Sequence, residues 1–212
     1  MSELEILDSI TVVIPVHPER VRNGMLERAL SSVRSQTLPA DEIIVVEDHE
    51  GQGAARTRHQ GLMEVTSEWV AFLDSDDEFL PRHLERLMAC AQETEADFVY
   101  SWYKIKGASD PMPNRFGKAW NPDKPALTTI TVMVKTQLAQ RVGFHPDPNR
   151  VKNSGEDMMF VRGCNSLGAK IVHLPERTWV WHHHGGNTSG LNTRGDAVPP
   201  APVKGRKKGR RK

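Results

Sequence analysis

AFLDSDD, residues 71–77, passes in seven positions from an apolar run into three carboxylates, Asp74, Asp76 and Asp77. A short apolar run closed by turn signals reads as a buried strand, and the helical spacing from Pro81 to Glu93 follows it directly. Carboxylates gathered at such a strand end offer hard oxygen ligands of the kind preferred by Mg²⁺ and Mn²⁺, ions that keep positions for phosphate oxygens and water. An isolated D-x-D triplet reads equally as an acidic turn capping the next helix. The choice between these readings depends on what surrounds it.

Upstream, ITVVIPV (10–16) and EIIVV (42–46) are further strand candidates. The first ends in the turn HPERVRNG (17–24), and the second in Glu47, Asp48 and the Gly51-Gln52-Gly53 loop. Helical spacing fills 25–36 and 54–64. Strands alternating with helices predict an α/β, Rossmann-like fold with a mostly parallel central sheet flanked by helices, because parallel strands need crossover connections. Ligands of such sheets bind beyond the carboxyl ends of the strands. The turns holding His17, Glu47 with Asp48, and Asp74 to Asp77 are therefore expected to face one cleft.

Downstream, DFVYSWY (97–103) reads as a strand and GASDPMPNRFGKAWNPDKP (107–125) as a long loop. ALTTITVMV (126–134) reads as a strand, and KTQLAQRVG (135–143) as a short helix stopped by Gly143. GEDMMFVRGCNSLG (155–168) is a helix with acidic residues in its first turn, and AKIVHLP and TWVWHHH are two short strands. No internal repeat is found.

The 212 residues, 38% hydrophobic and 26% charged, suit one compact domain, placed at 1–195. The net charge of +1 conceals a basic end: seven of the last nine residues are Lys or Arg. The stretch 196–212 is expected to be a disordered basic tail, a candidate contact for nucleic acid or an acidic surface. Two cysteines, Cys90 and Cys164, exclude a disulfide framework. With no secretory leader in the first residues and no run near the roughly 20 apolar residues of a membrane span, a cytoplasmic location is expected.

The landmarks ITVVIPV, ERALSSVRSQT, EIIVVED, the Arg-x-x-Gly of RHQG (58–61), EWVAFLDSDD and GEDMMFVR occur in this order between about Ile10 and Gly190. In order and spacing the chain resembles the family 2 glycosyltransferases of the GT-A fold. That resemblance implies transfer of a sugar from a nucleotide-diphospho-sugar, by default a UDP-sugar, to an acceptor hydroxyl, with Mn²⁺ or Mg²⁺. Asp74 and Asp76 would be the D-x-D pair, Asp76 preferred as the direct metal ligand and Asp74 nearer the ribose, with Ser75 between them at the donor. Pro15 and His17 would border base and ribose, and Glu47 or Asp48 would accept a hydrogen bond from the base. Here the sequence departs from the family, which usually shows two aspartates followed by Gly-Ser. Arg58 would lie near the nucleotide.

In the Gly155-Glu156-Asp157 stretch, Asp157 would deprotonate the attacking hydroxyl, with Glu156 binding acceptor or orienting its neighbour. Among the C-terminal histidines, His184 would reach the metal or diphosphate. Strand alternation puts His182 and His184 on one face and His183 on the other. The loop Gly185 to Gly190 would wrap the diphosphate, and the loop 107–125 with the region 144–153 would shape acceptor specificity. The acceptor is open: glycan, protein, lipid or nucleic acid bearing a hydroxymethyl base. A second reading is a catalytically inactive nucleotide-sugar or nucleic-acid binding module attached through its basic tail.

Overall fold

A computed structural model of the chain describes residues 8–123, 130–145 and 155–184. The basic tail, the Gly185 to Gly190 loop and most of the 144–153 region lie outside the described residues.

Among the described residues seven strands form one sheet: β1 (Ile10–Val16), β2 (Glu42–Glu47), β3 (Trp69–Phe72), β4 (Glu78–Phe79), β5 (Phe98–Lys106), β6 (Val132–Lys135) and β7 (Ile171–His182), in the order β2-β1-β3-β6-β5-β7-β4. All seven residues of β1 are buried, as an uninterrupted apolar run requires when both faces of a strand are covered. The helices are α1 (Pro18–Arg22), α2 (Met25–Arg34), α3 (Ala54–Glu64), α4 (His83–Thr94), α5 (Thr136–Val142) and α6 (Glu156–Ser166). None among the described residues is long and apolar enough to cross a membrane.

The α/β architecture is as expected, and the sheet is more mixed than the alternation of elements suggests. β1 pairs in parallel with β2 and β3, and β5 with β7, whereas β6 runs against both β3 and β5 and β4 runs against β7. The reason is local. Among the described residues no crossover α-helix separates β5 from β6, and a strand that returns without one pairs antiparallel. The two short strands expected at 169–175 and 178–184 are one strand, β7, paired with β5 through register shifts near Tyr100 to Tyr103.

β4, which no periodicity announces, matters most for the site. Its two residues pair with Val180 and Trp179 of β7, so the turn carrying Asp74 to Asp77 is tied to the strand leading into the histidines. Gly61 governs the seating of α3: a Cβ there would lie 2.7 Å from Val13 Cγ1 and 3.0 Å from Val46 Cγ2. The bare backbone lets α3 rest directly on β1 and β2, with Arg58 one turn earlier.

Gly61→Ala is expected to lower unfolding free energy by about 1–3 kcal/mol, the range for overpacking a filled core, in spite of the better helix propensity of alanine. Urea denaturation reads this directly, and an equal or more stable variant would refute the close-packing role.

Candidate active site

β2, β1 and β3 are parallel neighbours, so the turns that follow them line one edge of the sheet. Asp74 to Asp77 lie beyond β3. One oxygen from each of Asp74, Asp76 and Asp77 falls within a mutual 4.8 Å, and Asp76 and Asp77 are buried. Like charges so close and so dry cannot all ionise freely. Burial followed by repulsion from Asp74 pushes the Asp76 carboxyl up. Asp77 is pushed well above the usual carboxylate range by burial and by both neighbours. Asp74 goes the other way: burial opposes its charge, but the Arg58 guanidinium holds it below its ordinary value.

Arg58, with a side chain only 5% exposed, joins the two ends of the site. Its Nη2 donates to Asp74 Oδ1 at 2.5 Å and its Nη1 to Glu156 Oε1 at 2.9 Å, with Asp157 Oδ1 3.8 Å away. Burial works against its charge, and Asp74, Asp157 and Glu156 together more than restore it. Arg58 and Glu156, 98 positions apart in the chain, are thus joined by a planar fork that also holds Asp74, a geometry suited to arginine and not to lysine.

Packing fixes the span this fork bridges. Phe144 and Phe160 stack with centroids 4.2 Å apart, and Phe72 meets both edge-on at 5.0 and 6.0 Å. Phe72 ends β3 just before the acidic turn, and Phe160 lies one turn into α6. The aromatic cluster therefore sets where Glu156 and Asp157 stand relative to Asp74. Asp157 keeps about a third of its side chain open, but its Oδ1 is sealed from solvent and accepts no hydrogen bond. Burial pushes its carboxyl up to about 7, Arg58 opposing and Glu156 and Asp74 adding repulsion.

The histidines arrive from β7. The His182 backbone N–H donates to Asp77 Oδ1 at 2.9 Å, and its ring Nε2 contacts Glu78. His184 Nε2 lies 3.1 Å from Asp76 Oδ2, while the His183 ring faces Trp181. His182 and His184 thus both reach the acidic turn and His183 does not.

The structure spreads the remaining expected residues along the same edge. Pro15 sits in β1 beside Val46. His17 is exposed and caps α1, accepting from the Glu19 N–H at 3.3 Å. Both carboxylate oxygens of Asp48 are engaged in shaping the loop before α3, accepting from the N–H groups of Gln52 at 2.7 Å and Gly53 at 2.8 Å. Glu47 reaches His49 at 3.6 Å. Ser75 is fully buried and its Oγ accepts from Arg20 at 3.4 Å.

Two arginines escaped the sequence reading. Arg20 of α1 pairs with Asp76 Oδ2 at 2.9 Å, and Arg28 of α2 donates to the Asp76 carbonyl at 2.6 Å. The signal for Arg20 was its place in the turn after the first strand. Arg28 had none, its contact arising from the packing of α2 against β4.

The donor set suits a hard divalent cation. Asp74, Asp76 and Asp77 converge, an imidazole nitrogen stands at the same oxygen of Asp76 that Arg20 holds, and the cluster's repulsion is a standing demand for positive charge.

Comparison with known proteins agrees with this geometry. Residues 48–137 match the family model described as Glycosyl transferase family 2. The chain is 32% identical over 156 residues to the succinoglycan biosynthesis protein ExoW of Rhizobium meliloti (strain 1021), covering 61% of this chain and 46% of ExoW. It is 26% identical over 196 residues to the poly(ribitol-phosphate) beta-N-acetylglucosaminyltransferase TarP of Staphylococcus aureus (strain N315), covering 73% of this chain and 56% of TarP. Among solved structures, S. aureus TarS 1–349 in complex with UDP-GlcNAc superposes with a TM-score of 0.70 at 19% identity, covering 84% of this chain and 60% of that one. The chain spans about half the length of the curated relatives it matches. The resemblance to family 2 glycosyltransferases therefore holds, and the fold is of the GT-A kind.

Arg58→Met leaves buried carboxylates without their cation and is expected to cost about 3–5 kcal/mol, as for other broken buried pairs. Without Arg58 the folded-state pKa values of Asp74 and Asp157 rise further above their unfolded values or toward them. The penalty is then full above those raised values and shrinks as pH falls through them. Denaturation at pH 8 and pH 5.5 should show the larger loss at pH 8; equal losses would contradict the charge-bridging role.

Proposed function

We propose that this chain, a relative of the family 2 glycosyltransferases, moves a sugar from a nucleotide-diphospho-sugar, by default a UDP-sugar, to a hydroxyl of a glycan-type acceptor. The observation that carries the reading is the Arg58 bridge, which gathers the acidic turn after β3 and the carboxylates opening α6 around one guanidinium. The UDP-GlcNAc bound by TarS supports the donor class. The names of ExoW and TarP favour a glycan or a polyol-phosphate polymer over nucleic acid as acceptor. The catalytic domain is placed at 1–195.

Donor binding falls to the edge formed by Pro15, His17, Glu47, Asp48, Arg58 and Asp74 to Asp76. With both oxygens of Asp48 engaged in its own loop, Glu47 is the better placed of the pair to meet the base. Asp74, Asp76 and His184, joined by Asp77, would hold Mn²⁺ or Mg²⁺, which when bound supplies positive charge to the diphosphate leaving group.

Asp157 is the base. It takes the proton of the acceptor hydroxyl as that oxygen bonds to the anomeric carbon and the bond to the diphosphate breaks, through an oxocarbenium-like state and with inversion. Its carboxylate is about a third open, and because Oδ1 is sealed beside Arg58, the oxygen left to receive the proton is Oδ2. Glu156, fixed by Arg58, orients its neighbour and borders the acceptor.

A base whose carboxyl sits at about 7 must be ionised to act, so kcat/KM is expected to fall about tenfold per pH unit below 7 and to level off above it. Asp157→Asn should lose roughly 10²- to 10⁴-fold in kcat while still binding donor. Near-normal transfer by that variant would overturn the choice of base.

Calorimetry with a panel of UDP-, GDP-, CMP- and dTDP-sugars, with Mn²⁺, Mg²⁺ or EDTA, tests the donor site. Metal-dependent binding of one donor, lost in Asp76→Ala, is expected. Absence of binding under every condition would favour the inactive binding-module reading.

A further inference from the structure

Arg20 is a guanidinium on the Asp76 carboxylate that plays no part in the mechanism above. Its Nη2 lies 2.9 Å from Asp76 Oδ2 and its Nη1 donates to Ser75 Oγ at 3.4 Å. The Asp76 side chain is 4% exposed and that of Arg20 20%, so the pair is poorly screened. His184 Nε2 approaches the same Oδ2 at 3.1 Å. A divalent cation reaching that oxygen meets a guanidinium already on it.

The element carrying Arg20 is built to yield. None of the five residues of α1 is buried. Its last turn is followed by Asn23 and by Gly24, a left-handed position at φ +77° with no atom within 4 Å of where a Cβ would stand. Swinging α1 aside therefore takes none of its own side chains out of the core. Arg28, in contrast, holds the Asp76 carbonyl from α2, whose Ala29, Ser32 and Val33 are buried, and it leaves the Asp76 carboxylate unblocked.

We infer that Arg20 is a stand-in cation and diphosphate-binding residue: it neutralises Asp76 while metal and donor are away, and is released by their arrival to pair with the diphosphate. The inference rests on the metal and donor reading given above. Two consequences have opposite signs. Before the donor binds, Arg20 competes with metal, and a pair that leaves about a tenth of the molecules open weakens apparent metal affinity about tenfold. Once metal is bound, the guanidinium displaced from Asp76 stands beside the leaving group, where arginine matches phosphate oxygens.

The test measures Mn²⁺ binding to the donor-free full chain by electron paramagnetic resonance, and UDP binding at saturating Mn²⁺ by calorimetry, for the native chain, Arg20→Gln and Arg22→Gln. Arg22 is exposed on the same helix, so its variant makes the same change in net charge without touching Asp76. Arg20→Gln is expected to bind Mn²⁺ about tenfold more tightly and UDP more weakly, with Arg22→Gln matching the native chain in both. Unchanged or weaker Mn²⁺ binding by Arg20→Gln, or an equal gain in Arg22→Gln, overturns the competition. UDP affinity unaffected in Arg20→Gln overturns the diphosphate role. Absence of Mn²⁺ binding by both the native chain and Arg20→Gln overturns the metal reading itself and this inference with it, an outcome distinct from binding that is equal in the two.

Discussion

A single buried guanidinium holds the two acidic groups of the site together. Arg58 spends its donors on Asp74 at the end of β3 and on Glu156 at the start of α6, and a charge this deep is tolerable only because carboxylates surround it. The arrangement is mutual, since Asp74 stays ionised because Arg58 is there. Everything else in the site is placed relative to that bridge. The carboxylates left over, Asp76 and Asp77 on one side and Asp157 on the other, are those whose protonation is pushed upward.

The cleft thus divides its acids by environment. Next to Arg58, a carboxylate is a fixed anion that orients its surroundings. Without a hydrogen bond to it, a carboxylate either awaits a cation, as Asp76 does with Arg20 and His184 at one oxygen, or awaits a proton, as Asp157 does with about a third of its side chain open. Carboxylates in unlike settings can take unlike roles at one pH.

Rigid packing supports this division. The Phe72, Phe144 and Phe160 cluster joins β3 to α6, Gly61 lets α3 lie flat on β1 and β2, and β4 ties the acidic turn to β7. The loop from Gly107 is also seated and not loose. Asp110 accepts from Tyr103 Oη at 2.7 Å and from Trp102 Nε1 at 3.2 Å, and Arg177 lies over the Phe116 ring at 4.4 Å. A Cβ on Gly107 would stand 2.2 Å from the His183 carbonyl oxygen, so this loop and the histidine segment share one seam.

The sequence by itself determined the α/β alternation, the apolar strands, the helix stopped at Gly143, and the placing of Asp74 to Asp77, Glu156 and Asp157 at element ends, because strand and helix periods and end residues are local properties of a chain. Arg58 was picked out only through the resemblance to family 2 glycosyltransferases, at the Arg-x-x-Gly landmark that ends in Gly61. Only the tertiary structure decided that β6 and β4 run antiparallel, that Arg20 and Arg28 reach Asp76, and that His184 meets the same carboxylate. Those contacts join residues from 48 to 108 positions apart, or hinge on a two-residue strand with no period to read. Their geometry comes from how whole elements pack, which no local pattern encodes.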